Sequence, residues 1–390
     1  MAKKNYKYDY GFKISCRKHL IVLIVCVPLL FLRLISLIRN LIFRYENSKT
    51  VVIVEPFGMG DVIMHEPLVR ILQESGYSVI FCGRPVWKST ILESESIRWQ
   101  DISVPWSAVS FAEKYRIFGN FIPSLSKTVR GLAKIGNGTI GIDTRGDVRS
   151  IFLLHLAGCR KVYSLSHYLG SSMHIPHCGV ERVWQEPSKV RWRLNLDFAS
   201  ALGIDVKLSD IAPPNVDHLL HNGIKSMSTE IALIPFAAGE GKRWPIEHWQ
   251  EFITMVKDHG LYPRWFCGPG QRSEIVSNFG ETIACTEIHS IEEWINELTK
   301  CKAVISVNTG PMHIAAALDL PLIVMDGSST LPLWSPQGKN SMVIHHQDLL
   351  PCAPCHQVGG RHGCDNECMR MVNPAEVIQS LLSVVGKADS

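Results

Sequence analysis

The chain has 390 residues, 46% of them hydrophobic and 19% charged, with a formal net charge of +4. That length exceeds one hydrophobic core and the composition is that of a folded chain, so two domains are expected and disorder is excluded. Charge is unevenly placed: residues 1–49 hold ten Lys or Arg against Asp9 and Glu46, which leaves the rest mildly acidic and argues against nucleic acid as a partner.

The first predicted element is apolar. LIVLIVCVPLLFL, from Leu20 to Leu32, carries no charge, and residues 19–38 just reach the roughly 20 apolar residues of a spanning helix, with Pro28 and Arg33 inside. Arg33, Ser36, Asn40 and Arg44 form a polar stripe along the second half, as in a helix lying in a membrane interface. No small-x-small cleavage site follows, which disfavours a signal peptide. Residues 1–48 are therefore expected to be a basic N-terminus with a membrane-anchor helix at about 19–43, and a buried core helix is the plainer alternative. Ten basic residues suit anionic lipid.

Thr50–Val54 reads as a buried parallel strand, ending in the glycine-bearing turn Glu55-Pro56-Phe57-Gly58-Met59-Gly60-Asp61. A helix follows as far as Gly76, then a strand over 77–82. The pattern returns with a strand at Thr139–Asp143, the turn Thr144-Arg145-Gly146-Asp147 and a helix from Val148 to Ala157. Residues 205–230, with Pro213-Pro214, read as a linker. A second series begins at Ile231–Ile234 and continues through a helix near 246–259, a strand at 264–267, a helix at 291–299 and a strand at 303–307. After Asn308-Thr309-Gly310-Pro311 come a helix to Leu318 and a strand at 322–325. Strand and helix alternate in both halves, so the expected class is α/β: two Rossmann-like, doubly wound domains facing across a cleft, over 49–212 and 213–390.

Three turns carry chemistry. Asp61 follows the first strand and either caps the next helix or presents a carboxylate that takes a proton from a hydroxyl. Gly239-Glu240-Gly241-Lys242-Arg243-Trp244-Pro245 has glycines whose N–H groups can approach an anion, and a compact cation in Lys242; a solvated Lys-Arg pair is the alternative. Asn308-Thr309-Gly310-Pro311-Met312-His313 opens a helix at the end of a buried strand, a ready seat for phosphate. His313 alone reads more readily as a packing histidine. Arg145 and Arg149 offer cations for an anionic ligand, or are a solvated helix start.

Of twelve cysteines, four cluster at Cys352, Cys355, Cys364 and Cys368, as C-x₂-C-x₈-C-x₃-C, a spacing that suits structural zinc or iron but is shorter in the middle than most zinc fingers. The rest are scattered, which indicates a reducing compartment.

Taken in order, VVIVEPFGMGDVIMHEPLVRIL, IDTRGDVRSIFLLHLAG, IALIPFAAGEGKRWPIEHWQEF and VISVNTGPMHIAAALDLPLIVMDG strongly resemble the heptosyltransferase family, glycosyltransferase family 9, from about residue 50 to residue 380. The resemblance implies the GT-B fold and an inverting, metal-independent transfer of a sugar, plausibly heptose from ADP-heptose, to a lipid-linked glycan such as lipopolysaccharide core or O-antigen. It implies Asp61 as general base beside Gly60. Lys242, Thr309 and Gly310 would lie on the donor diphosphate, with Ala237, Ala238, Gly241, Asn308, Pro311 and His313 lining the donor site and Gly60, Arg145 and Arg149 the acceptor site. It implies no cofactor for catalysis, although relatives often carry cysteines near the cluster, some as a metal site. The chain departs from the family at Asn308, where Asp is common, and at Ala237-Ala238, where hydroxyls occur. Since nucleotide sugars are made in the cytoplasm, the expected location is the cytoplasmic face of the inner membrane. Two rival classes are a non-catalytic nucleotide-binding scaffold and a dinucleotide oxidoreductase, for which neither domain has the full Gly-x-Gly-x-x-Gly pattern.

Overall fold

The computed structural model describes residues 49–104, 121–136, 138–165, 180–183, 189–220, 228–237, 239–329, 331–353 and 365–388. The expected anchor at 1–48 lies outside them; among the described residues no helix is long and apolar enough to cross a membrane.

In chain order the first half contains β1 (Thr50–Glu55), α1 (Met59–Ile63), α2 (Glu66–Glu74), β2 (Ser78–Gly83), β3 (Ile97–Asp101), α3 (Phe121–Ala133), β4 (Thr139–Asp143), α4 (Val148–Leu156), β5 (Cys159–Leu165), β6 (Val180–Val183) and α5 (Arg191–Ala201). The second contains β7 (Glu230–Ile234), α6 (Ile246–Asp258), β8 (Tyr262–Cys267), α7 (Arg272–Phe279), β9 (Cys285–Glu287), α8 (Ile291–Leu298), β10 (Ala303–Val307), α9 (Gly310–Ala317), β11 (Leu322–Met325), β12 (Ser341–Ile344), α10 (Glu367–Arg370) and α11 (Pro374–Ala388).

The strands form two six-stranded parallel sheets, ordered β3-β2-β1-β4-β5-β6 and β12-β11-β10-β7-β8-β9. Counted from its own first strand, each sheet has the same doubly wound order. β1 is apolar on both faces because both faces are covered: Val51 and Ile53 enter one core cluster, Val52 and Val54 another. β10 repeats this, with Ala303, Ile305 and Val307 on one side and Val304 on the other. In α8, Ser290 caps the first turn by accepting from the Glu293 N–H at 3.1 Å, ahead of an apolar face of Ile291, Trp294, Ile295 and Leu298.

Each sheet has its switch point where order reverses, between β1 and β4 and between β7 and β10. In open α/β sheets ligands bind beyond the carboxyl ends of the strands at that point. Here the two switch points meet, because Met59 and Ile63 of α1 are buried in the core cluster of the second half beside Met312, Ile314 and Ala315 of α9. Val216 joins the same cluster, so the segment expected as a plain linker is partly packed there and makes a 3-10 turn at Asp217–Leu219. A second bridge comes from α5: the Arg191 N–H donates to the Leu333 carbonyl at 3.0 Å, and Trp192 Nε1 to Gln337 Oε1 at 3.0 Å.

Candidate functional site

Asp61 sits in the first turn of α1, just past the carboxyl end of β1, where its two carboxylate oxygens take different partners. Its Oδ2 accepts from the Gly58 N–H at 3.1 Å, which satisfies the start of α1. Its Oδ1 accepts from Arg145 Nη1 at 2.7 Å, with side-chain exposures of 19% and 28%. Burial would raise the Asp61 carboxyl, but the Arg145 and Arg191 guanidinium groups prevail and hold it below the usual carboxylate range. It is an ionised carboxylate at neutral pH, locked in a charge-assisted pair.

Arg145 reaches it from the turn after β4. Its N–H donates to Asp143 Oδ1 at 3.1 Å, while Asp143 Oδ2 accepts from the Asp147 N–H at 3.0 Å and from Ser164 Oγ at 2.7 Å. Asp143 thus ties down the turn that presents Arg145, and burial pushes its carboxyl up to about 6. The guanidinium also lies 4.1 Å from the centre of the Phe57 ring. Arg149 is placed differently: it forks onto Asp147, with Nε 3.0 Å from Oδ1 and Nη2 2.5 Å from Oδ2.

Four residues given no role by sequence reading complete this half. Glu55 ends β1, fully buried, with Oε1 accepting from the Phe57 N–H at 3.2 Å and lying 3.8 Å from Arg145 Nη1. Burial drives its carboxyl up to about 8 against the pull of Arg145. His65 Nδ1 lies 2.7 Å from the Asp61 carbonyl and Nε2 2.9 Å from Thr144 Oγ1; burial and Arg191 bring its ring down to about 3, so it is neutral. Arg191, buried in α5, donates from Nη2 to the Thr144 carbonyl and lies 5.9 Å from the Trp334 ring centre. Only a charged residue ending a β-branched run could have drawn attention to Glu55, and Thr144 comes with the turn that carries Arg145; His65 and Arg191 arrive through long-range packing.

The facing half comes from the turns after β7 and β10. Glu240–Lys242 winds into a 3-10 turn with Gly241 buried, and Ala237 is 9% exposed. Pro245 is the residue before α6 rather than its first member, as its ψ of 143° requires. Ala238 lies outside the described residues. Among the described residues the Lys242 ammonium makes no ion pair; burial lowers its proton affinity, opposed by Asp326 and by Asp61 across the cleft. Thr309 precedes α9 in extended backbone with no side-chain cap bond, and Pro311 stands in the first turn. Asn308 is 5% exposed and donates from Nδ2 to Asp326 Oδ2, a buried acid after β11 that sequence reading missed; burial raises its carboxyl.

The two helix starts touch. A β-carbon on Gly60 would fall 2.4 Å from His313 Cδ2, and one on Gly310 would fall 3.2 Å from Met59 Cε. His313 is 5% exposed, and burial brings its imidazole down to about 4. Asp61, Gly60, Arg145, Lys242, Asn308, Thr309, Gly310 and His313 are therefore gathered in one interdomain centre. It joins an ionised carboxylate, a cation with no ion pair among the described residues and a helix N-terminus, the parts needed to take a proton and to hold a developing negative charge.

The cysteine cluster is divided. Cys352 is half-buried and Cys368 buried, both as thiols, whereas Cys355 and Cys364 lie outside the described residues. Among the described residues no three His, Cys, Asp or Glu side chains gather as a metal site.

Comparison with known proteins converges on one group. Residues 195–364 match the family model of glycosyltransferase family 9 (heptosyltransferase). Lipopolysaccharide heptosyltransferase 1 of Escherichia coli K12 is 30% identical over 149 residues, 37% of this chain and 47% of that protein. The chain spans about half the length of the curated relatives it matches. Among solved structures, E. coli heptosyltransferase WaaC with ADP superposes with a TM-score of 0.65 at 18% identity, covering 86% of this chain and 99% of that one. E. coli ADP-heptose lps heptosyltransferase II superposes at 0.62 and 16%, covering 87% and 100%.

Proposed function

We propose that this chain, a member of the heptosyltransferase family, glycosyltransferase family 9, transfers a sugar from a nucleotide donor, heptose from ADP-heptose, onto a lipid-linked glycan such as lipopolysaccharide core or O-antigen, with inversion and without a catalytic metal. The observation that carries this is the position of the Asp61 carboxylate opposite Lys242 and the start of α9, where the two halves pack together.

In this reading Asp61 accepts the proton of the acceptor hydroxyl as that oxygen attacks the anomeric carbon. The bond from that carbon to the diphosphate breaks on the opposite face, which inverts the centre. Lys242 and the N–H groups of Thr309, Gly310 and Met312 take up the charge that grows on the departing nucleoside diphosphate. Arg145 and Arg149 meet anionic groups of the acceptor. A positioned base contributes about 10²–10⁴-fold, so Asp61→Ala is expected to abolish transfer while ADP still binds. A panel of nucleotide sugars with candidate acceptors, read by mass shift, tests donor and base together; full activity in Asp61→Ala would sink the assignment.

Two further parts belong to the same reading. The cysteine cluster holds a structural zinc or iron; less than a tenth of an equivalent of either metal in purified protein would end that idea. Residues 19–43 hold the enzyme to the cytoplasmic face of the inner membrane. Flotation with anionic vesicles checks this, and equal flotation after deletion of residues 1–48 refutes it.

A further inference from the structure

Glu55 is the last residue of β1, and its side chain is fully buried. One carboxyl oxygen, Oε1, has the Phe57 N–H at 3.2 Å; the other, Oε2, is buried with no hydrogen-bond partner among the described residues. A buried carboxylate oxygen left unpaired is costly, and a carboxyl that keeps its proton avoids much of that cost.

Glu55 and Asp61 also face the same nitrogen. Arg145 Nη1 lies 2.7 Å from Asp61 Oδ1 and 3.8 Å from Glu55 Oε1, while Phe57 supports the guanidinium from its ring face. The other charges bearing on Glu55 are Asp61 itself, from α1, and Arg191, from α5. Lys242 and His313, from the opposite half, bear on Asp61. Two acids on one cation titrate as a pair, and the proton sits where burial is deepest. A carboxylate that keeps Arg145 to itself is ready but weak as a base.

We propose that Glu55 is a positioning residue for the proton-accepting carboxylate: as the second carboxyl facing Arg145 Nη1, it sets how firmly that guanidinium is held against Asp61. The inference rests on reading Asp61 as the base. While Glu55 keeps its proton, Arg145 belongs to Asp61. When Glu55 loses its proton to solvent, a displacement of about 1 Å brings the guanidinium within charge-assisted hydrogen-bond distance of Glu55, the ion pair is shared, and Asp61 becomes the stronger base.

The test uses full-length protein with carbon-13 in its Asp and Glu carboxyl groups. In the wild type the Asp61 carboxyl signal is expected to move in a step near pH 8, following Glu55. Glu55→Gln, which copies the neutral form, is expected to lose that step. In transfer from ADP-heptose to a lipopolysaccharide-core acceptor, kcat/KM rises through the same pH in the wild type. That rise is lost in Glu55→Gln, with donor KM unchanged. An Asp61 titration that is the same in both proteins overturns the proposal. Since the titration needs no turnover, a protein that titrates as expected but transfers no sugar counts against the functional reading and not against the coupling. Should Glu55→Gln fail to fold, Arg145→Lys keeps the charge without the guanidinium that faces both carboxyls and is expected to lose the same step; its persistence there overturns the proposal equally.

Discussion

The imidazole of His313 occupies the space that a side chain on Gly60 would need, with Cδ2 only 2.4 Å from where a β-carbon would stand. Gly60 belongs to the turn that presents Asp61, and His313 to the helix start that faces it. The close approach of the two halves therefore depends on a missing methyl group.

Gly60→Ala is expected to destabilise the protein by about 1–3 kcal/mol, the usual range for overpacking, and to slow transfer by holding the halves apart. His313→Ala in the same chain is expected to return most of that loss, because the clash is with the imidazole. Denaturant unfolding of the two single variants and the double variant checks it; equal loss with and without His313 refutes the contact.

Lys242→Ala is expected to weaken ADP binding by about 10- to 100-fold, the worth of one hydrogen-bonded charge at about 1.5–3 kcal/mol. Calorimetric titration with ADP measures this. Unchanged affinity would remove Lys242 from the diphosphate site.

His65 is buried neutral, its ring brought down to about 3 by burial and Arg191. In the unfolded chain it titrates at its ordinary value of about 6.5. Its contribution to stability is therefore present above 6.5 and falls as pH drops toward 3, by about 1.4 kcal/mol per pH unit. Glu55 and Asp143, raised to about 8 and about 6, act in the opposite sense as pH falls. The informative quantity is thus the difference between proteins: His65→Asn is expected to lose less stability than the wild type between pH 6 and 4. Parallel slopes from unfolding at several pH values would refute the neutral, buried histidine.

Asn308→Asp is expected to destabilise near neutral pH, because it would face Asp326 Oδ2 with a second buried carboxylate in place of an amide donor. An uncompensated buried charge costs about 3–5 kcal/mol. The loss is expected to shrink at low pH, where the pair can share a proton. Unfolding at pH 5 and pH 8 distinguishes this from a cost independent of ionisation.

Much of the fold was legible in the sequence because parallel strands covered on both faces must be apolar throughout. Thr139–Asp143, Ala303–Val307 and Leu322–Met325 occupy the expected residues, most other ends differ by a residue or two, where hydrogen bonding and not hydropathy decides the last turn, and the single helix expected up to Gly76 is two, Met59–Ile63 and Glu66–Glu74. Asp61, Lys242 and Thr309-Gly310 were legible as glycine-bearing turns after buried strands, a local arrangement that composition and spacing record.

What surrounds those turns was decided only by tertiary structure. No sequence spacing joins Asp61 to Arg145, 84 positions on, or Gly60 to His313, and none reveals that Glu55 shares Arg145 or that Asn308 donates to Asp326. Local sequence sets where a strand ends and which side chain stands there, since backbone sterics and burial act over a few residues. Which charges then meet, and where their protons rest, depends on bringing two switch points together in a space that water has largely left.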